Sequence, residues 1–152
     1  MKTDSKGQTM FKTILVPVDV SQIDAAIAAL SLAKDIAKAR GGKIVLLNVI
    51  EEVPNYVAAE IPAEVFANSA ERAQTELTAF AEREGISGDA EIAVVHGHAS
   101  RDILAFAKER KAEMIVMASH DPGLVDYFLG SVAGHVVRHA HCSVLVVRDA
   151  RM

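Results

Sequence analysis

The sequence predicts an α/β domain built on an open, doubly wound parallel sheet of five strands. Short, nearly continuous apolar runs rich in β-branched residues alternate with longer segments whose apolar residues recur at helical spacing. Strands without polar alternation are buried on both faces, so helices must cover both sides of the sheet. Crossovers between parallel strands are right-handed, and ligands of such sheets bind beyond the carboxyl ends of the strands, where the strand order reverses.

The elements follow from these patterns and from residues that start or stop helices. Gly41 and Gly85 are predicted to end two of the helices, and Ile50–Ile61 is predicted to be a loop. The predicted strands are Phe11–Val18, Lys43–Val49, Glu91–Val95, Glu113–Ala118 and Ser143–Arg148. The predicted helices are Gln22–Arg40 capped by Ser21, Pro62–Glu84, one capped by Ser100 that ends near Arg110, and Ser131–Ala140.

Composition and charge exclude several classes of protein. A chain of 152 residues with 51% hydrophobic residues is expected to form one domain, here residues 10–152. Met10 is an alternative start, which would make residues 1–9 a flexible leader. The net charge of −4 argues against a nucleic-acid partner, and no apolar run reaches membrane-spanning length. The single Cys142 and the polar amino terminus lead us to expect a cytoplasmic protein.

The segment after the fourth predicted strand has the layout of a phosphate site. Met117 ends the strand, and Gly130-Ser131 precedes the last helix. Backbone N–H groups at a helix start are unpaired and carry the positive end of the helix dipole. Gly130 lets a ligand approach the backbone, and Ser131 can cap the helix or offer a hydroxyl. An ordinary strand–loop–helix turn without a ligand is the alternative.

Asp19 follows the first strand and is expected to share a crevice with the loop after the fourth strand if those strands are neighbours. A carboxylate there suits ribose hydroxyls or an adenine amino group better than phosphates. The alternative is that Asp19 caps the following helix.

Histidines and the cysteine offer other chemistry. The six histidines are His96, His98, His120, His135, His139 and His141. The pairs 96/98 and 135/139 have chelating spacings, but they lie on separate elements, so surface histidines that titrate near neutral pH are the ordinary interpretation. Cys142 next to His141 lacks a base and an orienting group, and Ser131 lacks a nucleophile elbow, so neither is expected to be a catalytic nucleophile.

Three ordered stretches give the chain a resemblance to the universal stress protein family. Thr13–Asp19 resembles the first strand of that family, and His139–Arg148 resembles its last strand. Ala118–Pro122 followed by Leu129–Ser131 resembles its nucleotide loop, in a Ser-His-x-Pro variant similar to a bacterial branch. The resemblance implies strand order 3-2-1-4-5, ATP in the crevice, and homodimers formed by antiparallel pairing of the last strands, here Ser143–Arg148.

The resemblance also implies a set of nucleotide-binding residues. Val49 would pack on the adenine, Met117 and Ala118 would give backbone contacts to base or ribose, and the phosphates would meet the helix start. The full set is Pro17, Val18, Asp19, Val49, Met117, Ala118, Ser119, His120, Asp121, Gly130, Ser131 and Val132.

Two positions depart from the family's Gly-x-x-Gly-x9-Gly-Ser pattern. Ala118 and Asp121 stand where the glycines would be, and eight residues separate Asp121 from Gly130. A carboxylate several ångströms from a triphosphate repels it by about 1–4 kcal/mol. Asp121 therefore points to solvent, holds a Mg²⁺ that bridges to phosphate oxygens, or favours AMP or ADP.

The sequence thus predicts a stress-response protein that binds an adenine nucleotide (ATP, ADP or AMP) and acts as a regulatory module. One alternative is a nucleotide-free dimeric interaction protein of the same fold. The other is a weak ATP hydrolase, slow because no general base or arginine finger is evident.

Overall fold

A five-stranded, all-parallel sheet forms the centre of the molecule in the computed structural model, which describes residues 11–119 and 129–148. The strand order β3-β2-β1-β4-β5 confirms the predicted doubly wound fold and the order that the family resemblance implied. The proposed leader, residues 1–9, lies outside the described residues. The strands are β1 (Thr13–Pro17), β2 (Lys43–Glu51), β3 (Ala90–Gly97), β4 (Met114–Ala118) and β5 (Ser143–Val147).

Helices cover both faces of this sheet, and each face has its own apolar core. On one face, residues such as Leu30 and Phe80 pack on Ile14 and Val16. On the other face, Ile103 and Val136 belong to the core that contains Leu15. The α-helices are α1 (Ile27–Arg40), α2 (Asn55–Ala58), α3 (Ala63–Ala67), α4 (Ser69–Arg83), α5 (Ala99–Glu109) and α6 (Ser131–His139).

The two ladders of the central strand differ in length. β1 pairs with β2 from Thr13 to Pro17, whereas its pairs with β4 are Ile14 with Met114 and Leu15 with Ile115. From β1 the chain adds β2 and β3 on one side of the sheet and then returns to add β4 and β5 on the other side. The strand order therefore reverses at β1, and the carboxyl end of β1 is the switch point of the sheet. A cleft opens there.

Two predicted helices differ from the structure. The first does not begin at Gln22, because Val20–Ala26 forms a 3-10 segment that is interrupted by non-helical dihedral angles at Gln22. The predicted helix Pro62–Glu84 is two helices, α3 and α4, separated at Asn68, and α2 lies within the predicted loop before them. Ser69 donates its hydroxyl to the Phe66 carbonyl there, a local bond that competes with a continuous helix.

The serine caps were also predicted wrongly. Asp19, not Ser21, caps the first helical segment, because its Oδ1 accepts from Ser21 N at 2.9 Å and from Ser21 Oγ at 2.6 Å. Ser100 lies inside α5, whose N-cap is His98. Gly41 ends α1 with a φ of +65°, as predicted, and Gly85 follows α4 with a φ of +74°.

No helix in residues 11–119 and 129–148 is long and apolar enough to cross a membrane.

Candidate functional site

A cleft of about 780 Å³ opens at the carboxyl edge of the sheet. Its volume falls within the range of small-molecule sites. The ends of β1, β2 and β4 form its floor, and the first residues of α5 and α6 form one wall. The 3-10 segment and α4 form the opposite wall, contributing among others Gln22, Ser69 and Arg72.

Most of the residues expected to bind a nucleotide lie together in this cleft. The strand and helix ends bring them from distant parts of the chain to one edge, as the switch-point argument requires. His120 and Asp121 lie outside the described residues, and with them the suggested Mg²⁺ contact. Those that line the cleft are Pro17, Val18, Asp19, Val49, Met117, Ala118, Ser119, Gly130, Ser131 and Val132.

The start of α6 is the part of the cleft best suited to an anion. The N-cap residue is Gly130, which has no side chain that could bond to the helix N–H groups. The first hydrogen bond of the helix runs from Gly134 N to Gly130 O at 2.8 Å. The N–H groups of residues 131–133 precede that bond and therefore have no partner within the helix, while all three residues line the cleft. Ser131 is the first residue of the helix, so the prediction that it caps α6 is wrong.

Ser119 connects this helix start to the sheet. Its N–H donates to the Val147 carbonyl of β5 at 3.1 Å, and its hydroxyl accepts from Gly130 N at 3.4 Å. A Cβ atom added to Gly130 would meet no heavy atom of residues 11–119 or 129–148 within 4 Å. As far as these residues are concerned, the space beside Gly130 is therefore open.

The end of β1 is held by a side chain that sequence analysis did not identify. Asn48 is 4% exposed, and its Nδ2 donates to the Val18 carbonyl at 2.8 Å. Its Oδ1 is buried without a hydrogen-bond partner among the described residues. Since a buried acceptor left unpaired is costly, its presence at the floor of the cleft is unusual for a purely structural residue.

Two roles were considered for Asp19, a helix cap and a ligand contact. It lines the cleft beside Val18, and it makes the capping contacts to Ser21 through Oδ1. The capping interpretation is therefore confirmed, and a contact to a ligand stays a prediction.

The start of α5 is occupied by carboxylates of the chain itself. Glu51 Oε1 accepts from Ala99 N at 2.8 Å, and Glu51 Oε2 lies 3.3 Å from His98 Nδ1. Asp102 Oδ2 accepts from His98 N at 2.6 Å, so a carboxylate of the first turn satisfies the N–H of the N-cap residue from four residues along the chain. The bond from His98 N lowers the pKa of Asp102, and nearby Arg101 lowers it further against the opposing effect of burial.

We expect Asp102→Asn to lower the free energy of unfolding by about 1 kcal/mol at pH 7. Because the pKa of Asp102 is lowered in the folded state, its carboxylate stabilises the protein above the unfolded pKa of about 3.9. That contribution is lost as the pH falls through the folded pKa. Urea unfolding at pH 7 and near pH 3 should show a difference between parent and variant that shrinks at the lower pH. An equal difference at both would contradict the assignment.

The histidines and Cys142 are the remaining candidate groups. No group of three or more His, Cys, Asp or Glu side chains within residues 11–119 and 129–148 is placed to hold a metal ion. The rings of His135 and His139 lie 4.5 Å apart on α6. Burial raises the pKa of the Cys142 thiol, which disfavours the reactive thiolate.

Sequence analysis missed several side chains because they meet the cleft only through tertiary structure. Asn48 had a signal, a polar residue within an apolar strand, and Glu51 had one as a carboxylate at a strand end. Arg72 and Glu76 have the pattern of a solvated helix face, and nothing in their spacing marks them as cleft residues.

Comparisons with known proteins agree with this architecture. Residues 10–148 match the model of the universal stress protein family. A universal stress protein of Thermus aquaticus is 34% identical over 140 residues, which cover 91% of this chain and 100% of the relative. The solved structure of a universal stress protein, UspA, from Lactobacillus plantarum superposes with a TM-score of 0.76 at 24% identity, covering 91% of this chain and 99% of that one.

A second solved structure, of a universal stress protein in complex with cAMP, has a TM-score of 0.64 at 25% identity and covers 91% of this chain and 97% of that one. The switch-point cleft, the strand order and these matches over nearly the whole length lead to one conclusion. The chain belongs to the universal stress protein family.

Proposed function

We propose that this protein binds an adenine nucleotide in the switch-point cleft and acts as a regulatory module in a stress response, without dependence on turnover. The observation that carries the proposal is the start of α6, which opens onto the cleft with Gly130 at its N-cap and, among the described residues, no side-chain cap on its N–H groups. A phosphate group supplies the negative charge that such a helix start favours.

The rest of the cleft suits a nucleoside attached to that phosphate. Val18, Val49 and Met117 provide an apolar surface for a base, and Asp19 supplies a carboxylate for ribose hydroxyls or an amino group. Asn48 Oδ1 offers a buried acceptor beneath them. An apolar pocket with a few polar groups is the usual form of a small-molecule site.

The relatives support the same class of ligand. A universal stress protein of known structure binds cAMP, an adenine nucleotide, and this chain matches it over most of its length.

We propose further that the protein works in the cytoplasm as a homodimer joined through Ser143–Arg148. β5 is an edge strand that pairs with β4 alone within the described sheet, and residues 144–147 are half-buried. An edge strand of this kind can pair with the same strand of a second copy.

The ultraviolet spectrum of freshly purified protein is the first test. The chain has no Trp and two Tyr, so its own absorbance at 280 nm is weak and retained nucleotide would show as a peak near 260 nm. Equilibrium titration with ATP, ADP, AMP and cAMP, with and without Mg²⁺, then measures each Kd. We expect saturable binding of at least one of them at micromolar to low-millimolar concentration.

Absence of binding at millimolar nucleotide would overturn the proposal and favour the nucleotide-free interaction protein. Phosphate release that keeps pace with added ATP would favour the hydrolase.

A further inference from the structure

Two neighbouring helix starts on one face of the sheet open into the cleft, across from the start of α4 at Ser69. α5 begins at Ala99 and α6 at Ser131, and both residues line the cleft. The two helices pack on the same face of the sheet, where Ile103 and Ala133 share one apolar core. Packed helices lie about 8–10 Å apart. Each start carries the positive end of a helix dipole, so the backbone alone provides two neighbouring places for negative charge.

The two helix starts differ in whether a carboxylate of the protein contacts them. Glu51 reaches the start of α5 from the end of β2, 48 residues earlier, where its Oε1 accepts from Ala99 N and its Oε2 lies beside His98 Nδ1. The N-cap of α6 is Gly130, and no side chain of residues 11–119 or 129–148 caps that helix start. Within the described part of the chain, a carboxylate of the protein therefore fills one helix start, and the neighbouring start has no such group.

The charged residues that line the cleft also disfavour additional negative charge on a ligand. Among the described lining residues, Asp19, Glu51 and Glu76 are acidic and Arg72 is basic, which gives a net charge of −2. A phosphate on the start of α6 is accommodated by the helix. Each further phosphate adds negative charge to this acidic cleft, and charges closer together than a Debye length, about 8–10 Å at ordinary ionic strength, repel one another without full screening.

We propose that Glu51 makes the cleft select adenine nucleotides with a single phosphate, linear or cyclic, over the triphosphate in the absence of a divalent cation. Its carboxylate occupies the second helix start, toward which a longer phosphate chain would otherwise extend, and repels the added charge. This selectivity rests on the proposed nucleotide function of the same cleft.

The test compares Glu51→Gln with Glu52→Gln by titration with AMP and ATP in EDTA at low ionic strength. The glutamine retains an acceptor for Ala99 N but removes the charge. Glu52 is the matched control, since it is exposed, adjacent in sequence and not part of the cleft lining. We expect the parent to bind AMP more tightly than ATP. Glu51→Gln should lower the Kd for ATP about threefold to tenfold with a smaller change for AMP, and Glu52→Gln should change neither.

The parent protein alone gives a second, independent measurement. Raising the salt concentration toward 1 M screens the charges, so the preference for AMP should shrink. An AMP-to-ATP ratio that is insensitive to salt and unchanged by Glu51→Gln would overturn the role of Glu51 while leaving nucleotide binding intact. Absence of binding by every nucleotide would instead overturn the proposed function itself.

Discussion

Gly130→Asp is expected to weaken nucleotide binding about 100-fold while the protein stays folded. Gly130 has φ −58° and ψ 157°, angles that any residue adopts, and a Cβ there meets no atom of the described residues within 4 Å. Aspartate is also a favourable N-cap, so it should stabilise α6 slightly. The same carboxylate would occupy the N–H groups of α6 and repel a phosphate.

Three measurements separate this effect from a general loss of structure. Gly130→Ala adds a Cβ without charge and should bind nucleotide within about threefold of the parent, since the space is open. Adenosine, which has no phosphate, should bind Gly130→Asp and the parent equally. Circular dichroism should give the variant an unfolding temperature no lower than that of the parent. Unchanged Kd values for AMP and ATP in Gly130→Asp would show that the phosphate lies elsewhere.

Gly97→Ala is expected to lower the free energy of unfolding by about 2–4 kcal/mol. Gly97 has a φ of +153°, which side-chain-bearing residues rarely adopt, and a Cβ there would clash with Asp102 Oδ2. The carboxylate must move, and its bond to His98 N at the start of α5 is lost. For a chain of this length the change corresponds to a fall of about 5–15 °C in Tm.

The control for Gly97→Ala is Gly88→Ala. A Cβ on Gly88 would have no neighbour within 4 Å, and Gly88 has no positive φ, so its substitution should leave stability within about 0.5 kcal/mol. In an Asp102→Ala background the clash is absent, and Gly97→Ala should then cost about 1 kcal/mol less than in the parent. A cost that is the same in both backgrounds would assign the whole effect to backbone strain.

The fold was predictable because a strand that is buried on both faces has an uninterrupted run of apolar residues in the sequence. Segments such as Leu15–Val16 and Val45–Leu46 contain only apolar residues, as a strand buried on both faces requires. They are fully or almost fully buried. The strand order came from family resemblance, since local patterns do not encode which strands are neighbours.

Local competition and long-range contacts account for what was missed. Asp19 and Ser21 are both good caps, and they lie two residues apart, so the aspartate bonds to the N–H and the hydroxyl of the serine locally. Glu51 acts on a helix that begins 48 residues later, so no spacing rule connects the two. The cleft residues on strand and helix ends were predicted more completely, because the topology alone places those ends at one edge.

The central position of β1 has a consequence for the order in which the molecule assembles. Its partner in β2 is 30 residues away along the chain, whereas its partner in β4 is 100 residues away. Closing the longer loop costs about 1 kcal/mol more conformational entropy, so the amino-terminal half of the sheet is expected to form before β4 docks. The cleft lies across that late junction. The proposed binding site is therefore expected to be completed at the last stage of folding, and a ligand that contacts both β1 and α6 would stabilise the contact between the two halves.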